Sequence, residues 1–419
     1  MIQLIDTAIA FLLAAAIIFI GFLAYAFFKK TGWPEILFLI LIGIIVGPVL
    51  GLFSKQDFLA VLPLISTFTL LMVLFRGGLE LNISEVVSGS LRGLFQAFAY
   101  FFLGMVLIAV FLHFVVNWDW IESFILGSIL SQTGEVVIIP LAKRVRLKPQ
   151  SVILLSLEAV MTSIFNIVFF YALLQAQLLG TFNTLHTVTQ IFLNFSVGVV
   201  VGIFMGIVWL RTLPLIGKNE LAYMVTIGYV FLCYFVSSSL MGSGPLSVLA
   251  LGLVLGNEGQ FLKFLRMRPA DPSFTELRNY LTRFQVEISF ILRAFFFVLL
   301  GLFFEISLSS LSTLLLFGLP IIGILLASRF LVVTISTRGT PMFEERNQIV
   351  AMCALGMTPV LLSFIALQSN LPMADLYILI VTNVIIVTNF ITSITAAVLQ
   401  YTKASDHSNN LPQTHIRPS

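Results

Sequence analysis

Charge is what this sequence has least of. Only 10% of its 419 residues are Asp, Glu, Lys or Arg, where a soluble domain carries about 25%. There is too little ionic surface to face water, which excludes a soluble enzyme. Cysteine is also scarce: Cys233 and Cys353 lie in apolar runs with no Cys or His at ligand spacing. That excludes a disulfide framework or a metal cluster and leaves two ordinary buried thiols. The four histidines, His113, His186, His407 and His415, fall at the ends of apolar runs or in the C-terminal tail. No Ser-His-Asp arrangement, ATP-binding loop or redox-cofactor motif is present, so neither enzymatic activity nor a cofactor is expected. A net charge of +3, from 22 basic and 19 acidic residues, is no polycation and gives no reason to expect nucleic acid as a partner.

What fills the space is apolar. Hydrophobic residues make up 59% of the chain and its mean hydropathy is +1.07, so lipid is its solvent. A hydrocarbon layer about 30 Å thick takes about 20 helical residues to cross. Cutting the chain at its polar clusters gives thirteen spans, near 4–28, 34–53, 58–80, 91–114, 120–142, 152–179, 187–210, 221–240, 244–256, 286–307, 313–336, 347–369 and 376–400. The fold expected is an all-α polytopic membrane protein. Placing loops alternately on the two sides puts 19 of the 22 basic residues on one face, from Lys29 and Lys30 to Arg417. Positive loops stay in the cytoplasm, so the N-terminus is expected outside and the C-terminus inside. Lys55 alone falls on the opposite face, and Arg293 and Arg329 belong to no loop. The first span lacks the basic start and cleavage site of a signal peptide and is expected to remain a helix. Segment 257–285 is long enough for one amphipathic surface helix, and the polar stretch 401–419 is expected to be a disordered cytoplasmic tail.

A short internal match suggests duplication. VLFRGGLELNIS at 73–84 resembles VLLGLFFEISLS at 298–309, an offset of 225 that carries the third span onto the tenth. The second copy comes seven helices after the first, an odd number, so their orientation in the bilayer is reversed. The expected organisation is a first repeat over about 1–180, a linker helix over 187–210 and a second repeat over about 221–400. The same offset aligns two interruptions, Gly134 with Pro140 in the fifth span and Gly356, Thr358 and Pro359 in the twelfth. Paired interruptions of this kind predict broken helices that meet at the midplane and expose backbone groups to an ion.

Charge inside the membrane is costly, at least about 2.5–3.5 kcal/mol per group. Glu135, Glu158, Arg293 and Arg329 are the four groups expected there, with Glu35, Glu80, Glu287 and Glu305 at span ends. Two carboxylates and two guanidiniums cancel, so either one Glu escapes pairing or the cargo is not a simple cation competing with a proton. The ordinary alternative is a pair of salt bridges that only pin helices together.

Several segments then resemble one family. FRGGLELNIS at 75–84 is similar to its Gly-Leu-Glu-Leu segment, and SILSQTGEVVIIPLAKRVRLKPQ at 128–150 to its first broken helix, whose usual core is Thr-Asp-Pro. ILLSLEAVMTSIFNIV at 153–168 is similar to its Glu-Ser-x-x-Asn-Asp helix, RAFFFVLLG at 293–301 to its tenth-span basic segment, and ALGMTPVLL at 354–362 falls where it has Pro-Arg-Gly. The chain thus resembles the cation/proton antiporter superfamily, sodium/proton exchangers and their relatives, from the first span to Gln400. The resemblance implies the antiporter fold with crossed broken helices, a homodimer, and a small inorganic ion and protons as partners. It matches Thr133, Glu158, Arg293 and Arg329 to family positions and implies that Glu158 pairs with Arg329 or Arg293. The sequence departs from the pattern at Gly134 and Glu135, which stand for Asp-Pro, at Thr162 and Ser163, which stand for Asn-Asp, and at Leu355, which stands for arginine.

The function expected is a secondary transporter of the prokaryotic cell membrane that exchanges sodium or potassium for protons. Glu135 or Glu158 is the coupling acid, and Thr133, Thr162 and Ser163 are candidate oxygen ligands. Singly, such hydroxyls more often bond the backbone one turn back. Glu135, on an interrupted helix with no base before Lys143, is the stronger candidate for proton coupling. Two other readings stand beside this one, a transport-inactive scaffold or sensor with the antiporter fold, and an anion or weak-acid carrier using the arginines.

Overall fold

The computed structural model describes residues 7–31, 33–53, 55–59, 61–81, 91–179, 184–216, 221–264, 272–304 and 308–409, and within these every regular element is a helix. In chain order they are α1 (Thr7–Thr31), α2 (Glu35–Ile44), α3 (Lys55–Leu59), α4 (Leu62–Glu80), α5 (Leu91–Val116), α6 (Trp120–Leu130), α7 (Glu135–Arg144), α8 (Pro149–Leu179), α9 (Thr184–Ile216), α10 (Ala222–Ser239), α11 (Gly244–Gly256), α12 (Glu258–Phe264), α13 (Pro272–Phe303), α14 (Leu308–Thr313), α15 (Leu319–Thr337), α16 (Arg346–Ala351), α17 (Met357–Gln368) and α18 (Ala374–Asn409). Helices satisfy their own backbone groups, as a chain in hydrocarbon must. Among the described residues nine stretches are long and apolar enough to cross a membrane, and Glu35–Val49, Gly244–Gly256 and Met357–Gln368 are shorter apolar helices. The protein is an integral membrane protein.

Single turns of π-helix extend α2 over Ile45–Val49, where Pro48 sits, and join α14 to α15 over Leu314–Gly318. Two close packings organise the bundle on one side. A Cβ on Gly43 of α2 would lie 2.0 Å from Val298 O of α13, and one on Gly78 of α4 would lie 2.4 Å from Leu249 O of α11. Glycine at both positions lets these helix pairs touch backbone to backbone. The largest apolar core runs from Leu70 and Leu74 through Ile125, Ile129 and Leu155 to Phe296, Phe364 and Ile385. A second lies around Phe75, Trp209, Val230 and Leu251.

Two expectations change here. The tail expected to be disordered from 401 continues α18 as helix to Asn409, because each residue added to a formed helix gains a bond without the cost of nucleation. Residues 410–419 lie outside the described residues. The surface helix expected within 257–285 is instead the short α12 followed by the first turns of α13, which runs unbroken into the bundle. Glu305, the partner of Glu80 in the sequence repeat, also lies outside the described residues.

Candidate functional site

Both expected breaks are present. Ser131–Gly134 is non-helical between α6 and α7, and Met352–Gly356 is non-helical between α16 and α17. They cross at their glycines. The Gly134 N–H donates to Ala354 O at 2.7 Å, and a Cβ on Gly134 would lie 2.5 Å from Gly356 N. The contact falls two residues before Thr358, the position expected. Pro359 follows in the first turn of α17, where an N–H has no intrahelical partner anyway, while Pro140 lies inside α7 rather than at the break.

Interrupting a helix frees carbonyls, and buried side chains take them up. Arg329 donates from Nε to Val350 O at 3.1 Å and from Nη2 to Ile349 O at 3.1 Å. Thr392 donates to Ala351 O at 3.0 Å and Asn389 to Leu355 O at 3.1 Å. Asn166 does the same for the first break, donating to Ile129 O at 2.7 Å. Sequence reasoning missed Asn166, Asn389 and Thr392. Two asparagines in apolar helices, 223 residues apart where the repeat offset is 225, were the available signal.

Glu158 pairs with Arg329, one of its two expected partners, and neither side chain is exposed at all. The carboxylate also accepts from Gln96 and from Thr133 Oγ1 at 3.4 Å. Ser336 donates to Gln96 Oε1 at 2.5 Å, and the guanidinium lies 5.2 Å from the Tyr100 ring centroid. Every hydrogen-bonding edge of this pair is occupied, so the pair braces the crossing from within. Thr162 donates to Glu158 O at 2.8 Å, the backbone bond typical of a helical threonine, and accepts from the Thr133 N–H at 3.4 Å.

Glu135 is placed differently. Its side chain retains 26% exposure on the first turn of α7, and its nearest cation is Arg76 Nη2 at 3.9 Å. Arg76 is held more closely by Glu80, at 2.7 Å one turn along α4, and Arg293 pairs with Glu35 at 2.8 Å. The expected cancellation of two acids by two bases is therefore corrected. Packing brings in Glu35 and Arg76, which lie near the ends of their spans in sequence. Among the described residues Glu80, Glu35 and Glu158 each engage a guanidinium closely, whereas Glu135 approaches one only at 3.9 Å.

Two spaces adjoin this carboxylate. A cavity of about 890 Å³ is lined by Arg76, Glu80, Glu135, Pro140, Lys143 and Arg293 and lies toward the end of the bundle that carries Lys143. Deeper, a cavity of about 70 Å³ is lined by Gln132, Gly134, Glu135, Ser163, Gly356 and Thr358. Ser163 thus joins Glu135, whereas Thr133, Thr162 and Glu158 line neither space. The arrangement offers a reachable carboxylate beside amide and hydroxyl groups.

The family model for the transmembrane sodium/hydrogen exchanger matches residues 15–400. Na(+)/H(+) antiporter 1 of Methanocaldococcus jannaschii is 23% identical over 298 residues, covering 69% of this chain and 67% of that protein. The Na(+)/H(+) antiporter NhaP of Pseudomonas aeruginosa is 27% identical over 247 residues, covering 56% of this chain and 55% of that protein. The solved structure of the sodium proton antiporter MjNhaP1 from Methanocaldococcus jannaschii at pH 8 superposes with a TM-score of 0.75 at 20% identity, covering 93% of this chain and all of that one. The fold, with its paired broken helices, is the antiporter fold. With a match that runs from the first helix to the last, this chain belongs to the sodium/hydrogen exchanger family of membrane transporters, which are not enzymes.

Proposed function

We propose that this protein exchanges a monovalent cation, sodium or potassium, for protons by alternating access, with Glu135 as the carboxylate that alternates between cation and proton. One observation carries this reading: the guanidinium nearest Glu135, 3.9 Å away on Arg76, is held more closely by Glu80, and Glu135 stands at the mouth of a break and on a cavity. A cation arriving there meets a charge it can neutralise, and a proton competes for the same oxygens. Glu158, fully engaged by Arg329, holds the sixth-span helix to the second break and does not cycle.

The packing supports alternating access. Near Lys143 the 890 Å³ cavity separates α4 and α13 from α7 and α8. At the opposite end α17 closes on the same two helices. Phe364 packs against Phe296 and Phe303 with ring centroids 6.0 and 5.1 Å apart, and Gln368 donates to Ser66 Oγ at 2.8 Å. We read the whole as thirteen crossings in two inverted repeats, about 1–180 and 221–400, joined by a linker helix over 187–210. The basic loops and the C-terminus are cytoplasmic, and the unit is a homodimer in a prokaryotic cell membrane. The names of the sodium/proton antiporter relatives support the cargo class.

The test is flux in proteoliposomes with sodium, potassium, lithium and chloride gradients, read by an internal pH dye. Cation-driven proton movement is expected in the wild type and not in Glu135→Gln. Equal flux in both removes Glu135 from the mechanism. Flux with chloride alone replaces the cargo with an anion, and no flux with any gradient makes the protein a transport-inactive member of its family.

A further inference from the structure

The small cavity beside Glu135 contains an unmatched group. Gln132 lies in the first break, 1% exposed. Its Oε1 accepts a hydrogen bond from Ser163 Oγ at 2.9 Å, while its Nε2 has no partner. Both side chains line the space of about 70 Å³ that Glu135, Gly134 and Thr358 complete. A buried amide nitrogen without a partner costs free energy, and the space exceeds the roughly 10–15 Å³ that one water requires.

The pair can be reversed without losing its bond. A serine hydroxyl both donates and accepts, and an amide carries both kinds of group. Turning the Gln132 amide lets Nε2 donate to Ser163 Oγ and puts Oε1 where the partnerless Nε2 now stands, on a side chain that lines the cavity. The wall of the cavity then changes from a donor to an acceptor. With Glu135 and Thr358, which line the same cavity, that acceptor adds to a set of oxygen-bearing side chains of the kind hard cations take as ligands. Arg76 and Arg293 also line the cavity, and their charges are engaged by Glu80 and Glu35.

We propose that Gln132 is a selectivity-determining ligand for the monovalent cation, turning its amide against Ser163 to present Oε1 when the cation enters and Nε2 when it leaves. This rests on the reading that a cation is bound at Glu135. It assigns to a neutral amide and a hydroxyl the choice among cations of different size, since they set how many oxygens replace the cation's lost water.

The test measures equilibrium binding of radioactive sodium and rubidium, with lithium as competitor, to the detergent-solubilised protein, alongside proteoliposome flux. Gln132→Met keeps the volume and removes both amide groups. It is expected to weaken binding about tenfold and to change the order of preference among the three ions. Ser163→Ala is expected to change the same order by less. Gln132→Asn keeps the amide on a shorter arm and, where the Met variant does not fold, is expected to alter the ion order on its own. Unchanged affinity and order in a folded Gln132 variant overturn the inference, even if Glu135-dependent flux persists. Ion order that depends on Gln132 in a protein that moves no cation upholds this inference and overturns the transport reading. A wild type that binds no cation overturns both.

Discussion

Glu158 and Glu135 are the same residue type close to the same break, and their surroundings are opposite. Glu158 is wholly enclosed and shares its oxygens among Arg329, Gln96 and Thr133. Glu135 keeps a quarter of its surface open and stands 3.9 Å from a guanidinium already held by Glu80. Breaking a buried pair strands the remaining charge, at a cost of about 3–5 kcal/mol. Glu158→Gln is therefore expected to lower the thermal unfolding midpoint in detergent by a margin well outside measurement error. Adding Arg329→Met to it is expected to recover part of that loss, because the stranded charge is gone while the carbonyls of Ile349 and Val350 lose their donor. An unchanged midpoint in Glu158→Gln would show that the pair is not a brace. At Glu135 the substitution to Gln is expected to leave the midpoint nearly unchanged and to abolish proton-coupled flux.

At the scale of the helix, the crossing depends on two glycines. A methyl group at Gly134 would meet the backbone of Gly356 at 2.5 Å, and backbone cannot rotate aside as a flexible side chain can. Gly134→Ala is expected to push the two breaks apart, at an overpacking cost of about 1–3 kcal/mol, and to lower both the unfolding midpoint and the flux. Gly77, on α4 at the rim of the small cavity, is a control, since its nearest neighbour to an added Cβ is Ile164 at 3.8 Å. Gly77→Ala is expected to leave the midpoint unchanged, and an equal loss in both variants would remove the crossing as the cause. The interrupted helices were legible in sequence because Gly and Pro recur at one offset. What anchors them was not, since Asn166 and Asn389 act on carbonyls 37 and 34 residues away.

Across the whole molecule, the two halves are tied at the end that carries the basic loops. Glu345 accepts from the Lys148 N–H at 3.1 Å and from Ser151 Oγ at 2.6 Å, so that a residue of the second half caps the start of α8. Lys148 Nζ donates to Pro341 O at 2.8 Å and to Glu344 at 2.5 Å. The hydrogen bond from Lys148, and its charge, hold the Glu344 carboxyl below its ordinary value of 4.5. A depressed carboxylate favours the folded state above its unfolded value and loses that contribution as pH falls through the folded one. Wild type minus Glu344→Gln, compared by thermal unfolding, is expected to show a small advantage at neutral pH that disappears on acidification below 4.5. An advantage that does not change with pH would show that the Glu344 charge does not contribute to the tie. Glu344 is highly exposed, so the effect is expected to be modest and reduced by salt.

Sequence alone determined the solvent, the helical class and the two breaks, because hydropathy, basic-loop alternation and Gly/Pro interruptions are written along the chain at distances a helix converts directly into depth. The resemblance to the antiporter family added that Glu158 would pair with Arg329 or Arg293, and the structure pairs it with Arg329. Which acid is held least closely was decided only by tertiary packing. Glu35 and Arg76 lie at the ends of their spans in sequence, yet α2 and α13 bring Glu35 to Arg293, and α4 brings Arg76 between Glu80 and Glu135. The charge left on Glu135 is a sum over four helices, and no spacing within any one of them encodes it.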